Sequence, residues 1–202
     1  MAKAPVPGLA KTRLVPALGA EGAARLAGRF LAHALREALA AGCGPVTLSC
    51  APDARHPAFA PWAGDPRLRL EDQAAGDLGE RMAAAFENAF ARAPAVLLFG
   101  TDAPALDAAL LVRAAAALKG KEAPDAVFVP TPDGGYVLAG LARRALPRAW
   151  DALFRDMPWS TADVMRQTRQ RLAGLGAHVL ELPPLADVDE PADLVHVPAG
   201  WV

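Results

Sequence analysis

The chain is expected to fold as one α/β domain over residues 1–202, built on a mainly parallel sheet. Two patterns predict this. Short apolar runs of strand length alternate with longer segments whose apolar residues recur every three to four positions. An Asp-Gly-Gly turn at 133–135, set between two close apolar runs, adds an antiparallel piece. There is also no internal repeat, and no linker long enough to mark a second domain.

In chain order, residues 21–41 bring Leu26, Phe30, Ala34 or Leu35, and Ala38 or Leu39 onto one face, which predicts an amphipathic helix. Gly42 and Gly44 end it, and 46–50 follow as a short buried strand. A Pro-rich loop over 52–66 leads to the alternating Arg67-Leu68-Arg69-Leu70, a second strand. Residues 80–92 are helical, with Met82, Phe86 and Phe90 on one stripe. An apolar strand at 95–99 precedes a helix over 107–119 that Asp107 is placed to cap. Strands at 126–129 and 136–141 flank the Asp-Gly-Gly turn. Ser160 or Thr161 caps a helix running to about Leu172, and 178–182 make the last strand.

Composition narrows the function. A chain of 202 residues with 53% hydrophobic content buries a full core. A net charge of -1 leaves no basic surplus for a nucleic-acid backbone, so nucleic acid is not the expected partner. Cys43 and Cys50 are too far apart for a Cys-x-x-Cys pair and read as small apolar thiols. No apolar run is long enough to span a bilayer and no signal-peptide core is present, so a cytoplasmic protein is expected.

Chemistry concentrates in a few places. Lys3, Pro7, Gly8, Lys11, Thr12 and Arg13 set three cations around a Pro-Gly turn just before a long helical pattern. Backbone N–H groups, a helix start and fixed cations make an anion site, most often for phosphate. On charge alone, a solvated basic terminus explains them equally well. The loop is not a Walker A sequence, because two residues separate Gly8 from Lys11 and no earlier glycine exists.

Asp102 follows directly on the 95–99 strand, and the carboxyl ends of parallel strands are where ligands bind. A carboxylate there suits Mg²⁺, which takes one or two protein carboxylates and completes its shell with substrate phosphates. Asp187 and Asp189 lie on one side of an extended segment and either complete a cation site or cap the helix that Pro191 begins. Asp133-Gly134-Gly135 reads first as a hairpin, although two glycines also let a ligand approach the backbone. Gln73, Gly76 and Arg81 belong to a Gly-containing loop that opens a helix and can approach a base or ribose. Trp159, beside a helix start, walls a pocket or joins the core. The four histidines have no partner at metal-ligand spacing, and no Gly-x-Ser-x-Gly elbow occurs.

Five motifs in order carry a resemblance: Lys-x-Pro-x-Pro-Gly-x-x-Lys-Thr-Arg-Leu, Gln-x-x-Gly-Asp-Leu-Gly-Glu-Arg-Met, Gly-Thr-Asp-x-Pro-x-Leu, Asp-Gly-Gly-Tyr and Asp-Val-Asp-x-Pro-x-Asp-Leu. Running from Lys3 to Leu194, they resemble the bacterial GT-A-like glycosyltransferases described as radical-SAM/selenodomain-associated transferases, linked in some genomes to arsenosugar biosynthesis. The chain is more distantly similar to the molybdenum-cofactor and phospholactate nucleotidyltransferases. The resemblance implies a three-layer, Rossmann-like nucleotide-diphospho-sugar transferase fold with a mixed sheet. It implies that Pro7, Gly8, Lys11 and Arg13 match the phosphate loop and that Gln73, Gly76 and Arg81 match the nucleotide-contacting segment. Asp102 matches the metal-binding aspartate and Asp189, more loosely, a second metal ligand.

The implied activity is glycosyl transfer from a nucleotide sugar to a small-molecule acceptor with Mg²⁺ or Mn²⁺. Lys11 then stabilises phosphate charge, Asp133 deprotonates the acceptor, and Gly134, Gly135 and Trp159 lie on the acceptor side. The alternatives are nucleotidyl transfer from a nucleoside triphosphate and a non-catalytic nucleotide-binding module. One departure stands out. Relatives carry an apolar strand just before the Lys-x-Pro loop, whereas only Met1 and Ala2 precede Lys3 here. The first strand is therefore expected to be missing, with about five to eight apolar residues encoded upstream in frame.

Overall fold

A computed structural model describes residues 1–120, 122–144 and 150–202, which group into two compact units. The first comprises Met1–Gln73, Gly100–Leu110 and Ala186–Val202, and the second Ala74–Phe99 and Leu111–Leu185.

The first unit holds a parallel three-stranded sheet in the order β1-β2-β3, with β1 at Ala2–Lys3, β2 at Val46–Ala51 and β3 at Leu68–Asp72. Ala2 pairs with Cys50 and Lys3 with Ala51, and the Ala4 N–H donates to the Ala51 carbonyl at 2.7 Å. The expectation that no strand carries the loop after Lys3 is thereby corrected. Two residues pair there, at the edge of the first unit's sheet. With only Met1 and Ala2 ahead of Lys3, the run is too short to read as a strand from the sequence. Ala2 and Ala4 are buried while Lys3 between them is exposed, the period-two signature of a strand with one face on the core.

Helix α1 (Val15–Ala41) buries Leu26, Phe30, Leu31, Ala34, Leu35 and Ala38. It begins six residues before the apolar periodicity does, with Pro16 in its first turn, and Gly19 at φ 69° interrupts its dihedrals. Gly42, left-handed at φ 59°, ends it as expected. Leu31 and Leu35 pack with Ala2, Ala4, Leu48, Cys50, Phe59 and Leu68. Leu26 and Phe30 instead pack with Leu14 and Val188, where Trp201 also meets the Phe30 ring at 5.8 Å.

The second unit is a mixed four-stranded sheet in the order β4-β6-β5-β7. Its strands are β4 (Ala95–Phe99), β5 (Ala126–Pro130), β6 (Tyr136–Ala142) and β7 (Val179–Glu181). β6 runs antiparallel to both β4 and β5, and only β5 and β7 pair in parallel. The mainly parallel sheet expected from alternation is corrected for this unit, because the hairpin inserts β6 beside β4. Helix α2 (Leu78–Phe90) starts in a capping box between Asp77 and Glu80 and buries Met82, Phe86 and Phe90. The Phe86 ring stacks on Phe154 at 5.5 Å.

Helix α3 (Ala108–Ala117) is capped as expected, the Leu110 N–H donating to Asp107 Oδ1 at 2.8 Å. Helix α4 (Val164–Gly174) starts later than Ser160 or Thr161. Ser160 is left-handed at φ 63°, and the Thr161 hydroxyl donates to the Pro158 carbonyl, so these residues close a turn instead of capping a helix. Among the described residues, no helix is long and apolar enough to cross a membrane.

Candidate functional site: a lysine shared by two aspartates

After β1 the chain winds tightly. The Val6 N–H donates to the Ala4 carbonyl at 2.9 Å, Leu9 N–H to Val6 at 3.1 Å and Leu14 N–H to Lys11 at 2.9 Å. Gly8 turns the loop at φ 78°, and Pro7 and Gly8 are exposed. Lys11 then adopts φ 49°, ψ 43°, the left-handed region that costs a residue with a Cβ about 1–2 kcal/mol. Such strain persists only where its surroundings hold it. Here the side chain, 12% exposed, reaches Asp102 Oδ2 at 3.0 Å and Asp189 Oδ1 at 2.6 Å. Its ammonium also lies 5.9 Å from the centre of the Phe30 ring.

Each aspartate is delivered by a separate device. Asp102 sits in the turn that leaves β4. A Cβ on Gly100 would come within 2.6 Å of Asp102 Oδ1, so glycine there makes room for the carboxylate. The Val188 N–H donates to the Asp102 carbonyl at 2.9 Å, which brings Asp189 alongside. The chain then enters a short 3-10 turn at Pro191–His196, whose capping box is made by Glu190 and Asp193. Asp193 also accepts from the Asp189 N–H at 2.9 Å. Glu190 and Asp193 thus do the capping, and the Asp189 carboxylate is turned to Lys11. Arg13 is exposed, with its guanidinium 3.9 Å from Glu190.

Burial alone would raise the Asp102 carboxyl, but the charge and hydrogen bond of Lys11 outweigh it and hold the group below its ordinary value. Burial alone would likewise lower Lys11, and the charges of Asp102 and then Asp189 drive it above its ordinary value instead. Because the folded pKa of Asp102 is depressed, its contribution to stability is complete above the ordinary carboxylate range. It is lost as the pH falls through the folded value. Lys11 has the opposite sign, contributing below the ordinary ammonium range and ceasing as the pH rises past its folded value. The Lys11–Asp102 pair is therefore ionised near neutrality.

Gln73 has its side-chain amide bonded within the first unit. Its amide nitrogen donates to the Ala2 and Ser49 carbonyls, each at 3.0 Å, and so ties β1 to β2. The structure gives it a fastening role in the sheet.

The remaining expected residues lie in the second unit. Gly76, at φ 106°, precedes the capping box of α2, and Arg81 donates to its carbonyl at 2.9 Å. Asp133 is exposed, and its Oδ1 accepts from the Thr131 hydroxyl and, at 3.2 Å, from the Gly135 N–H. Gly134, at φ 95°, lies against the backbone of Ala162, and its carbonyl accepts from the Met165 N–H at 2.8 Å. The close approach that two glycines permit is thus used at Gly134 for the chain's own backbone. Trp159 meets the Tyr136 ring at 6.5 Å, and both Trp159 Nε1 and the Tyr136 hydroxyl are buried with no hydrogen-bond partner among the described residues. Burial pushes the Tyr136 phenol well above its ordinary range.

Sequence reasoning missed three participants: Phe30 under the ammonium, Asp193 behind Asp189, and the direct pairing of Lys11 with both expected metal ligands. The last joins positions 91 and 178 residues apart, beyond the reach of any local pattern. Asp193 was visible inside the fifth motif, but only as one of its letters.

The donor set also bears on whether a divalent cation suits the place. Two carboxylate oxygens from separate segments touch one positive centre. Among the described residues no group of three or more His, Cys, Asp or Glu side chains gathers to hold a metal. Two carboxylates are a donor set of the kind Mg²⁺ takes from a protein, and to that extent the residues fit the ion.

A solved structure from Desulfovibrio desulfuricans G20, provisionally named a nucleotide-diphospho-sugar transferase, matches with a TM-score of 0.85 and 34% identity. The match covers 96% of this chain and 81% of that one, and it establishes a mixed α/β, GT-A-like fold. Residues 34–161 match the family described as "Uncharacterized protein conserved in bacteria (DUF2064)", and the chain belongs to that family. No curated protein matches it.

Proposed function

We propose that the protein is a metal-dependent glycosyltransferase that takes a sugar from a nucleotide-sugar donor and passes it to a small-molecule acceptor. One observation carries the reading: Lys11, held in a strained backbone conformation, aims its ammonium at two convergent carboxylates beside a loop that also presents Arg13. A nucleotide sugar offers what that arrangement selects, a diphosphate that needs cations and can share a metal with two carboxylates. The likeness to a transferase of this fold supports it.

Asp102 and Asp189 would hold Mg²⁺ or Mn²⁺. When bound, the cation would neutralise the charge that develops on the departing nucleoside diphosphate. Lys11 would bind the phosphates as a compact charge on a flexible stem. Arg13, exposed at the mouth of the loop, would add a second fixed charge and orient the diphosphate by its planar fork. Stabilising a leaving group that gains charge is worth more in the transition state than in the ground state, which is the condition for acceleration.

Product analysis tests the class of reaction. Incubated with a panel of nucleotide sugars and Mn²⁺, the protein is expected to release nucleoside diphosphate. Release of pyrophosphate from a nucleoside triphosphate, with none of the former, would transfer the same residues to nucleotidyl chemistry.

A further inference from the structure

Lys11 has two demands on it. In the proposed reaction it serves the phosphates, yet here its ammonium is the cation that Asp102 and Asp189 share, at 3.0 and 2.6 Å. We propose that Lys11 is a tethered substitute for the divalent cation, displaced from the two carboxylates only when metal and diphosphate arrive together. The inference rests on the metal-dependent reading above and adds to it that metal alone is held off.

Space argues for exchange. Both carboxylate oxygens contact the same nitrogen, and the lysine side chain is largely enclosed, with Phe30 on one side. An ion and the ammonium cannot share that point.

Charge argues for coupling. Two carboxylates and one ammonium leave a single negative charge, and a divalent ion in place of the ammonium leaves none. With the displaced ammonium still nearby, the cluster carries one positive charge in surplus. An anionic diphosphate removes that surplus, and the released ammonium has the phosphates as its natural partner. Metal and diphosphate therefore tighten each other's binding, as linkage requires.

The backbone is compatible with such a move. Lys11 is left-handed at φ 49°, a conformation held by its surroundings, and the four-carbon stem can carry the charge outward while the loop keeps its place.

Binding of Mn²⁺ alone to the full chain, followed by electron paramagnetic resonance of the free ion, tests the exchange without any turnover. Wild type is expected to bind weakly, and Lys11→Met about tenfold or more tightly. The gain should vanish in Lys11→Met/Asp102→Asn, because one of the two ligands is gone. Lys11→Arg should stay as weak as wild type, since it restores a cation. Lys11→Gln, which keeps a hydrogen-bond donor to the carboxylates, serves if the methionine variant fails to fold, and it should also gain affinity.

Equal Mn²⁺ affinity in wild type and the neutral variants overturns the exchange while leaving a metal site in place. A gain that survives Asp102→Asn overturns it as well. If neither wild type nor the neutral variants bind Mn²⁺, the exchange and the metal ligands of the proposed function fall together.

Discussion

Asp102→Asn is expected to lower turnover of the donor by about a thousandfold while the protein stays folded. The substitution keeps the shape of the side chain and removes its charge. A neutral amide oxygen is a poor ligand for a hard divalent cation beside a carboxylate such as Asp189, so the variant loses the cation together with its effect on the leaving group. The structural cost is modest. Lys11 retains Asp189, and Asp102 is about a third exposed, so the lost pairing is worth about 1 kcal/mol after screening by solvent. Kinetics with saturating donor and a melting curve of the same preparation check both halves. A variant that folds and turns over normally removes Asp102 from the chemistry.

The second large effect lies in the hairpin between β5 and β6. Gly134→Ala is expected to cost about 3 kcal/mol of stability. A Cβ there would lie 2.2 Å from the Ala162 carbonyl oxygen, a backbone atom that cannot swing aside, and φ is 95°. The neighbouring Gly135→Ala would meet the Thr131 hydroxyl at 3.0 Å, a side-chain contact that can yield, and should cost markedly less. Asp133→Asn completes the series. Its retained Oδ1 can still accept from the Thr131 hydroxyl and the Gly135 N–H, so stability should change by no more than about 0.5 kcal/mol. Denaturant unfolding of the three variants reads these differences. A turnover loss in a fully stable Asp133→Asn would then belong to chemistry, because the turn itself is preserved.

What could be read from the sequence follows the range of the interactions. Periodicity located α1, α2 and the apolar strands because each is written in neighbouring residues: Met82, Phe86 and Phe90 mark one face, and 95–99 is β4 to the residue. The Asp-Gly-Gly hairpin was legible for the same reason. Sheet order was not, since the placement of β6 between β4 and β5 depends on pairings made across the chain. β1 is not legible because only Met1 and Ala2 precede Lys3, too short a run to read as a strand.

At the site, a strand end singles out Asp102 and spacing Asp189, and both carboxylates reach the Lys11 ammonium. Their shared partner Lys11 is not legible, because a tertiary ion pair leaves no mark on the residues beside it. Gln73 is similar: that its amide joins two strands is a tertiary contact which a motif glutamine does not announce.

On the proposed function, Lys11, Asp102 and Asp189 together receive a diphosphate and a divalent cation. Calorimetric titration of the wild-type chain with uridine, guanosine, adenosine, cytidine and thymidine diphosphates, each with Mn²⁺ and with a chelator, tests it most directly. At least one of them is expected to bind with Mn²⁺ and to weaken about tenfold or more when the cation is withdrawn. Nucleotide binding of equal strength in chelator, or none in either condition, would contradict it.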